Sequence, residues 1–141
     1  MVAGRRLIRA IAYVVKSEGI IESPRSEGGK TTSSEASFFE ALRNAGLELR
    51  TKDIQVYPGG MKKADWDVGL AVDAIRMAAS LDTIILVTGD GDFVPLVDYL
   101  KWGLGRGVEV AAFSKTTSSK LREAADVFWG LEEIPKILLK K

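Results

Sequence analysis

The sequence contains no cysteine and no histidine. Without thiols there is neither a disulfide framework nor a thiolate metal site. Without imidazole there is no Ser-His-Asp triad and no His-ligated zinc, so any metal must be held by oxygen. An excess of charge of one sign is missing too: 20 Lys and Arg stand against 19 Asp and Glu, a net charge of +1. Nothing global draws the chain to nucleic acid, and such binding would need a local basic patch. No apolar run reaches the roughly 18 residues of a membrane span. No secretory signal precedes the domain, and the cytoplasm is the expected compartment. What is present is ordinary for a globule: 141 residues, 46% apolar and 28% charged. That length fits one domain, residues 1–141, with a substantial core.

The most informative stretch is Thr83-Ile84-Ile85-Leu86-Val87-Thr88-Gly89-Asp90-Gly91-Asp92-Phe93. Thr83 to Val87 is β-branched or apolar throughout, which suits a strand buried on both faces of a parallel sheet. Thr88 to Asp92 cannot continue such a strand, so the chain turns there. Phe93 to Val97 then reads as a helix, with Asp92 as N-cap and Pro95 tolerated in the first turn. Asp90 and Asp92 therefore sit at the carboxyl end of a central strand, the edge at which open α/β sheets bind ligands.

The remaining elements follow the same alternation. Ala10 to Val15 is a buried-strand candidate. Residues 17–34 are polar with several Gly and a Pro, and read as a mobile loop. Arg25 and Lys30 lie in it. Thr32-Ser33-Ser34-Glu35 fits a capping box. The helix after it has Phe38, Phe39 and Leu42 as its core side and Gly46 as its C-cap. Leu47 to Val56 looks like a strand, and Tyr57 to Gly60 like a turn. From Trp66 to Ser80, Val68, Ala71, Val72, Ile75 and Ala79 keep helical spacing, with Asp65 and Asp67 at the helix start. Val108 to Phe113 is strand-like. Thr116 to Ser119 precedes a helix from Leu121 to Phe128, and these hydroxyls can cap it or face a phosphate. Residues 130–141 form a tail broken by Pro135, with Lys136, Lys140 and Lys141. The order βαβαβαβα predicts an α/β fold with a parallel central sheet covered on both faces, α/β/α in three layers.

Asp67, Asp90 and Asp92 come from two chain segments that right-handed crossovers can bring to one edge. Carboxylates gathered without a basic partner repel, and such a cluster persists most easily around a divalent cation. All-oxygen ligands point to Mg²⁺ or Mn²⁺. The competing explanation is local: Asp67 complements the helix dipole, and Asp with Gly makes turns. Asp73 lies about 120° round the helix from Asp67 at roughly 100° per residue. It is expected as a supporting residue behind the ligands, as a sugar-phosphate contact, or as a helix-surface acid.

Lys62-Lys63-Ala64-Asp65-Trp66-Asp67-Val68-Gly69-Leu70-Ala71-Val72-Asp73, followed by Leu86 to Val97, resembles the NYN family, the LabA-like branch of the PIN-like nucleases. Ser118 to Asp126 is similar to that family's last helix, and the likeness extends from about Arg5 to Ile134. The resemblance implies a PIN-like fold and a Mg²⁺- or Mn²⁺-dependent endoribonuclease acting in RNA processing or turnover. It implies Asp67, Asp90 and Asp92 as metal-site and catalytic acids, with Asp73 and Thr88 behind them. Lys62, Lys63, Thr117, Ser118 and Ser119 would contact the RNA backbone.

One departure shapes the expectation. The family begins with a strand ending in Asp-x-x-Asn and then a helix, and that first βα unit is missing here. A shortened chain, a start assigned too late, or a strand from a second copy or a partner chain would each account for it. The isolated chain, short of one carboxylate, is expected to cut RNA weakly or not at all. The alternative class is a non-catalytic RNA- or protein-binding regulatory module. A haloacid-dehalogenase-like phosphatase is the third reading. Its Asp-x-Asp normally opens the domain and runs into Thr, whereas this one comes late and runs into Phe-Val-Pro.

Overall fold

A computed structural model describes residues 1–16, 30–56, 58–59, 62–63 and 65–137. The chain forms two compact units, Val2–Trp66 and Asp67–Lys141 together with Met1.

In the first unit, β1 (Ile11–Lys16) pairs in parallel with β2 (Glu48–Asp53), Ile11 opposite Glu48 and Lys16 opposite Asp53. The β-branched Ile11, Val14 and Val15 favour that extended backbone. Between the strands runs α1 (Lys30–Asn44). It starts before the expected capping box, so Thr32 to Glu35 lie inside the helix. Hydroxyl residues cost only tenths of a kcal/mol in a helix interior, too little to set its start. Residues 30–34 of the loop expected over 17–34 are thus helical, and residues 17–29 lie outside the described residues.

The C-terminus of α1 is as read. Gly46 takes φ +91°, its N–H donates to Arg43 O at 2.9 Å, and Leu47 N–H donates to Leu42 O at 3.1 Å. This is a Schellman closure, and the left-handed φ calls for glycine. Phe39 is buried, but Phe38 is 57% exposed and packs tilted on it at 6.1 Å. Adjacent residues stand about 100° apart on a helix, so one apolar stripe does not hold both.

The single strand expected from Leu47 to Val56 is two: β2 and, after Ile54, β3 (Gln55–Val56). β3 pairs antiparallel with β4 (Lys62–Lys63) around a turn through Pro58 and Gly59, where Gly59 has φ +100°. Trp66 meets Tyr13 edge-on at 5.4 Å and donates its indole N–H to Val14 O at 3.0 Å. Lys52 lies over the same indole at 5.6 Å and donates to Asp65 O at 3.0 Å.

The second unit begins with α2 (Asp67–Ala78), followed by β5 (Thr83–Val87), α3 (Val94–Asp98), β6 (Gly107–Ala112), α4 (Ser119–Ala124) and β7 (Val127–Gly130). A 3₁₀ turn (Gly91–Phe93) leads into α3, and a π-helical turn (Tyr99–Gly103) leads out of it. The sheet order is β5-β6-β7, parallel throughout, with Thr83 opposite Gly107 and Glu109 opposite Val127. Ile84, Leu86, Val108 and Val110 share one face of this sheet. They pack with Ala74, Ala78, Phe93, Leu96, Val97, Leu100 and Leu121 as the core. On the other face the buried Glu109 accepts the indole N–H of Trp129 at 2.7 Å, which satisfies both groups.

The helix expected to reach Phe128 stops at Ala124, and Val127 to Gly130 forms β7 instead. Asp126 makes the change of direction. Its Oδ2 accepts Val108 N–H at 2.8 Å, its own N–H donates to Val108 O at 2.8 Å, and Lys101 Nζ lies 3.2 Å from Oδ1. The Val108 N–H, with the Lys101 ammonium beside it, holds the Asp126 carboxyl below its usual 3.8. A group lowered in the folded state stabilises above its unfolded pKa, and that part is lost as pH falls through the folded one. Asp126→Ala is therefore expected to unfold at lower urea than wild type at pH 6. The gap between the two midpoints narrows below pH 3.8, as urea melts across pH 3–7 will read.

Among the described residues no helix is long and apolar enough to cross a membrane.

Candidate metal centre

The strand β5 ends at Val87, and the next residues are held by their own side chains. Thr88 Oγ1 accepts Asp90 N–H at 3.2 Å, and Asp90 Oδ1 accepts Asp92 N–H at 2.9 Å. Asp90, not Asp92, is the N-cap of the 3₁₀ turn. The helix itself, α3, is entered through Phe93 without a side-chain cap, so Asp92, expected as its N-cap, lies inside the preceding 3₁₀ turn. Asp67 is the first residue of α2, where a carboxylate complements the helix dipole.

These acids converge. Asp67, Asp90 and Asp92 each offer a carboxylate oxygen, all within 4.8 Å of one another, with Asp67 half-buried and the other two exposed. The donor set is hard oxygen only and could hold a hard divalent cation rather than a thiophilic metal. Asp73 does not join them; it is buried further along α2.

The hydroxyl segment after β6 packs against the same loop. Ser118 N–H donates to Gly89 O at 3.0 Å. A Cβ on Gly89 would stand 3.2 Å from Thr117 Oγ1 and 3.3 Å from Thr116 O. A Cβ on Gly91 would stand 2.7 Å from Ser118 Oγ and 3.0 Å from Ser118 Cβ. Only residues without a Cβ let the two segments approach this closely.

The hydroxyls are partly engaged already. Thr117 donates to Phe113 O at 2.7 Å, which leaves its oxygen as an acceptor. Ser118 precedes α4 without a side-chain capping bond, so the cap role read for this cluster is not filled by it. Ser119 opens α4 and is exposed. Lys62 and Lys63 form β4, and their side chains lie outside the described residues.

Sequence reasoning missed Glu132, which follows β7 in a 3₁₀ turn (Leu131–Glu133). Its Oε2 accepts Ser114 N–H at 3.2 Å, and the Ser114 hydroxyl and N–H hold its carboxyl below the usual range. No sequence pattern announces that pairing, which spans residues from separate strand ends.

The family model of the NYN domain matches residues 1–132. The chain belongs to the NYN domain family. Low amplitude and bright protein LabA of Synechococcus elongatus is 24% identical to this NYN domain over 119 residues, covering 80% of this chain and 63% of that protein. The chain thus spans somewhat less than two thirds of that curated relative. The crystal structure of a protein of unknown function from Vibrio parahaemolyticus superposes with a TM-score of 0.75 at 31% identity. That match covers 92% of this chain and 72% of the other. The α/β architecture with parallel strands is consistent with the PIN-like fold of the family, and the resemblance to NYN proteins holds.

Proposed function

We propose that this NYN domain hydrolyses phosphodiester bonds in RNA with a divalent cation. The observation that carries the reading is the meeting of Asp67, Asp90 and Asp92 with ligand oxygens within 4.8 Å of one another. In this reading those three side chains hold Mg²⁺ or Mn²⁺. When bound, the ion supplies a water of lowered pKa and a counter-charge for the phosphate. The Thr88 hydroxyl fixes the Asp90 backbone and hence its carboxylate. Lys62 and Lys63 supply positive charge for the RNA backbone, and Thr117, Ser118 and Ser119 supply polar contacts. Asp73, buried in α2, supports the site from behind the ligands rather than touching the ion.

The test is cleavage of a labelled single-stranded RNA by the purified chain across a MnCl₂ and MgCl₂ titration. Weak metal-dependent cleavage, stopped by EDTA and by Asp92→Asn, is expected. Cleavage that survives the substitution, or unchanged RNA from a chain that also binds no Mn²⁺, sinks the proposal.

A second reading has its own observation. β5 carries apolar side chains at Ile84 to Val87 yet borders only β6 among the described residues. Val87 is 64% exposed, and Val68 on α2 is 75% exposed. Apolar edge strands are templates for further pairing. A regulatory module that completes this sheet with a second copy of itself would be dimeric and would bind RNA or protein without cutting. Light scattering of the purified chain, run beside the cleavage assay, separates the two.

A further inference from the structure

We propose that Glu132 is a positioning residue for the aspartate loop, acting through the turn that carries Ser114 and Ser118. The inference rests on the reading of Asp67, Asp90 and Asp92 as a metal site, although the residues it adds lie outside that cluster.

The connection can be followed bond by bond within one unit. Glu132 Oε2 takes the Ser114 N–H at 3.2 Å. That N–H belongs to the first residue of the 3₁₀ turn Ser114–Thr116, a donor with no partner inside its own turn. A carboxylate there makes a charge-assisted bond, stronger than one between neutral groups. The turn closes through Thr116 N–H to Phe113 O at 3.1 Å and delivers Ser118, whose N–H reaches Gly89 O at 3.0 Å. Gly89 and Gly91 flank Asp90, and neither leaves room for a Cβ clear of Thr117 or Ser118. The aspartate loop therefore leans on the Ser114–Ser118 segment with no slack, and that segment is pinned at its start by Glu132.

Releasing the pin has a directed consequence. If Ser114 moves, the wall behind Gly89 and Gly91 moves with it. Asp90 and Asp92 then lose their fixed spacing although neither is touched. Outer partners of a metal site commonly cost about 10–100-fold in affinity when removed, and the low end suits a residue this far back.

The experiment compares Glu132→Ala with Glu132→Gln in the full chain. The glutamine keeps an oxygen for Ser114 N–H and removes the charge. Two readouts are taken: Mn²⁺ affinity by calorimetry, and amide exchange at Ser118 and Asp92 by NMR in metal-free buffer. Expected for Glu132→Ala is about tenfold weaker Mn²⁺ binding and faster exchange at both amides, with the far-UV spectrum unchanged. Glu132→Gln, which keeps the acceptor but not the charge assistance, is expected between wild type and Glu132→Ala in both.

Wild-type exchange and affinity in Glu132→Ala would overturn the proposal. Equal damage from both variants would overturn it as well, because the charge and not the held turn would then be responsible. A wild-type chain that binds no Mn²⁺ would count against the metal reading alone, and the exchange arm would still decide the coupling from Glu132 to the loop.

Discussion

Asp90→Asn is expected to weaken Mn²⁺ binding severely while leaving the fold intact. The asparagine keeps an oxygen where Asp90 Oδ1 accepts Asp92 N–H at 2.9 Å. Asn and Asp are nearly equal as N-caps, so the 3₁₀ turn is retained. Thr88 Oγ1 still receives the backbone N–H of residue 90, because that bond does not involve the substituted side chain. The one thing removed is a negative charge from a group of carboxylates whose oxygens lie within 4.8 Å of one another. Like charges at such spacing repel, so the metal-free protein is expected to be as stable as wild type or slightly more so. A hard divalent ion loses an anionic ligand, and affinity is expected to fall by about 100-fold or more. Calorimetric titration with MnCl₂ beside a thermal melt reads both. A melt that collapses would mean that Asp90 serves the turn alone, and undiminished binding would place the ion elsewhere or nowhere.

The aspartates were legible because they punctuate an unmistakable strand. Thr83 to Val87 reads as a central strand buried on both sides; the observed strand has those same ends, but it borders only β6 among the described residues and leaves Val87 64% exposed. Asp67 was legible as the opening of a helix whose periodicity starts at Val68. Their convergence is a tertiary fact, and only right-handed crossovers and the family resemblance pointed to it.

The misreadings have a common physical origin. Leu121, Ala124, Ala125 and Phe128 fit a helix, but Asp126 is held by Val108 and Lys101, far away in sequence, and β6 then recruits Val127 to Gly130. Phe38 and Phe39 looked equally apolar, and helix geometry buried only one. The strand from Leu47 to Val56 broke at Ile54 because the short ribbon with Lys62 and Lys63 claims its end. Composition marks what a segment can do. Partners from elsewhere in the chain decide which of those options is taken.

Gly91→Ala is expected to weaken the site nearly as much as losing an acid, without changing any charge. The added Cβ would lie 2.7 Å from Ser118 Oγ and 3.0 Å from Ser118 Cβ. The hydroxyl can rotate away, but the Cβ of Ser118 is fixed by a backbone whose N–H is bound to Gly89 O. The segments must separate, and the loop between Asp90 and Asp92 is the exposed and yielding partner. Mn²⁺ affinity is expected to fall by about 10–100-fold, the range seen when the supports of a metal site are disturbed.

The clash also tells how to relieve it. Ser118→Gly removes both crowding atoms, and Ser118 makes no side-chain capping bond that would be lost. At an N-cap position that exchange costs only a few tenths of a kcal/mol. The double variant should therefore bind Mn²⁺ more tightly than Gly91→Ala alone, a sign reversal that independent sites do not show. Additive losses in that cycle would mean that the hydroxyl segment does not support the aspartate loop, and the close approach at Gly91 would carry no functional weight.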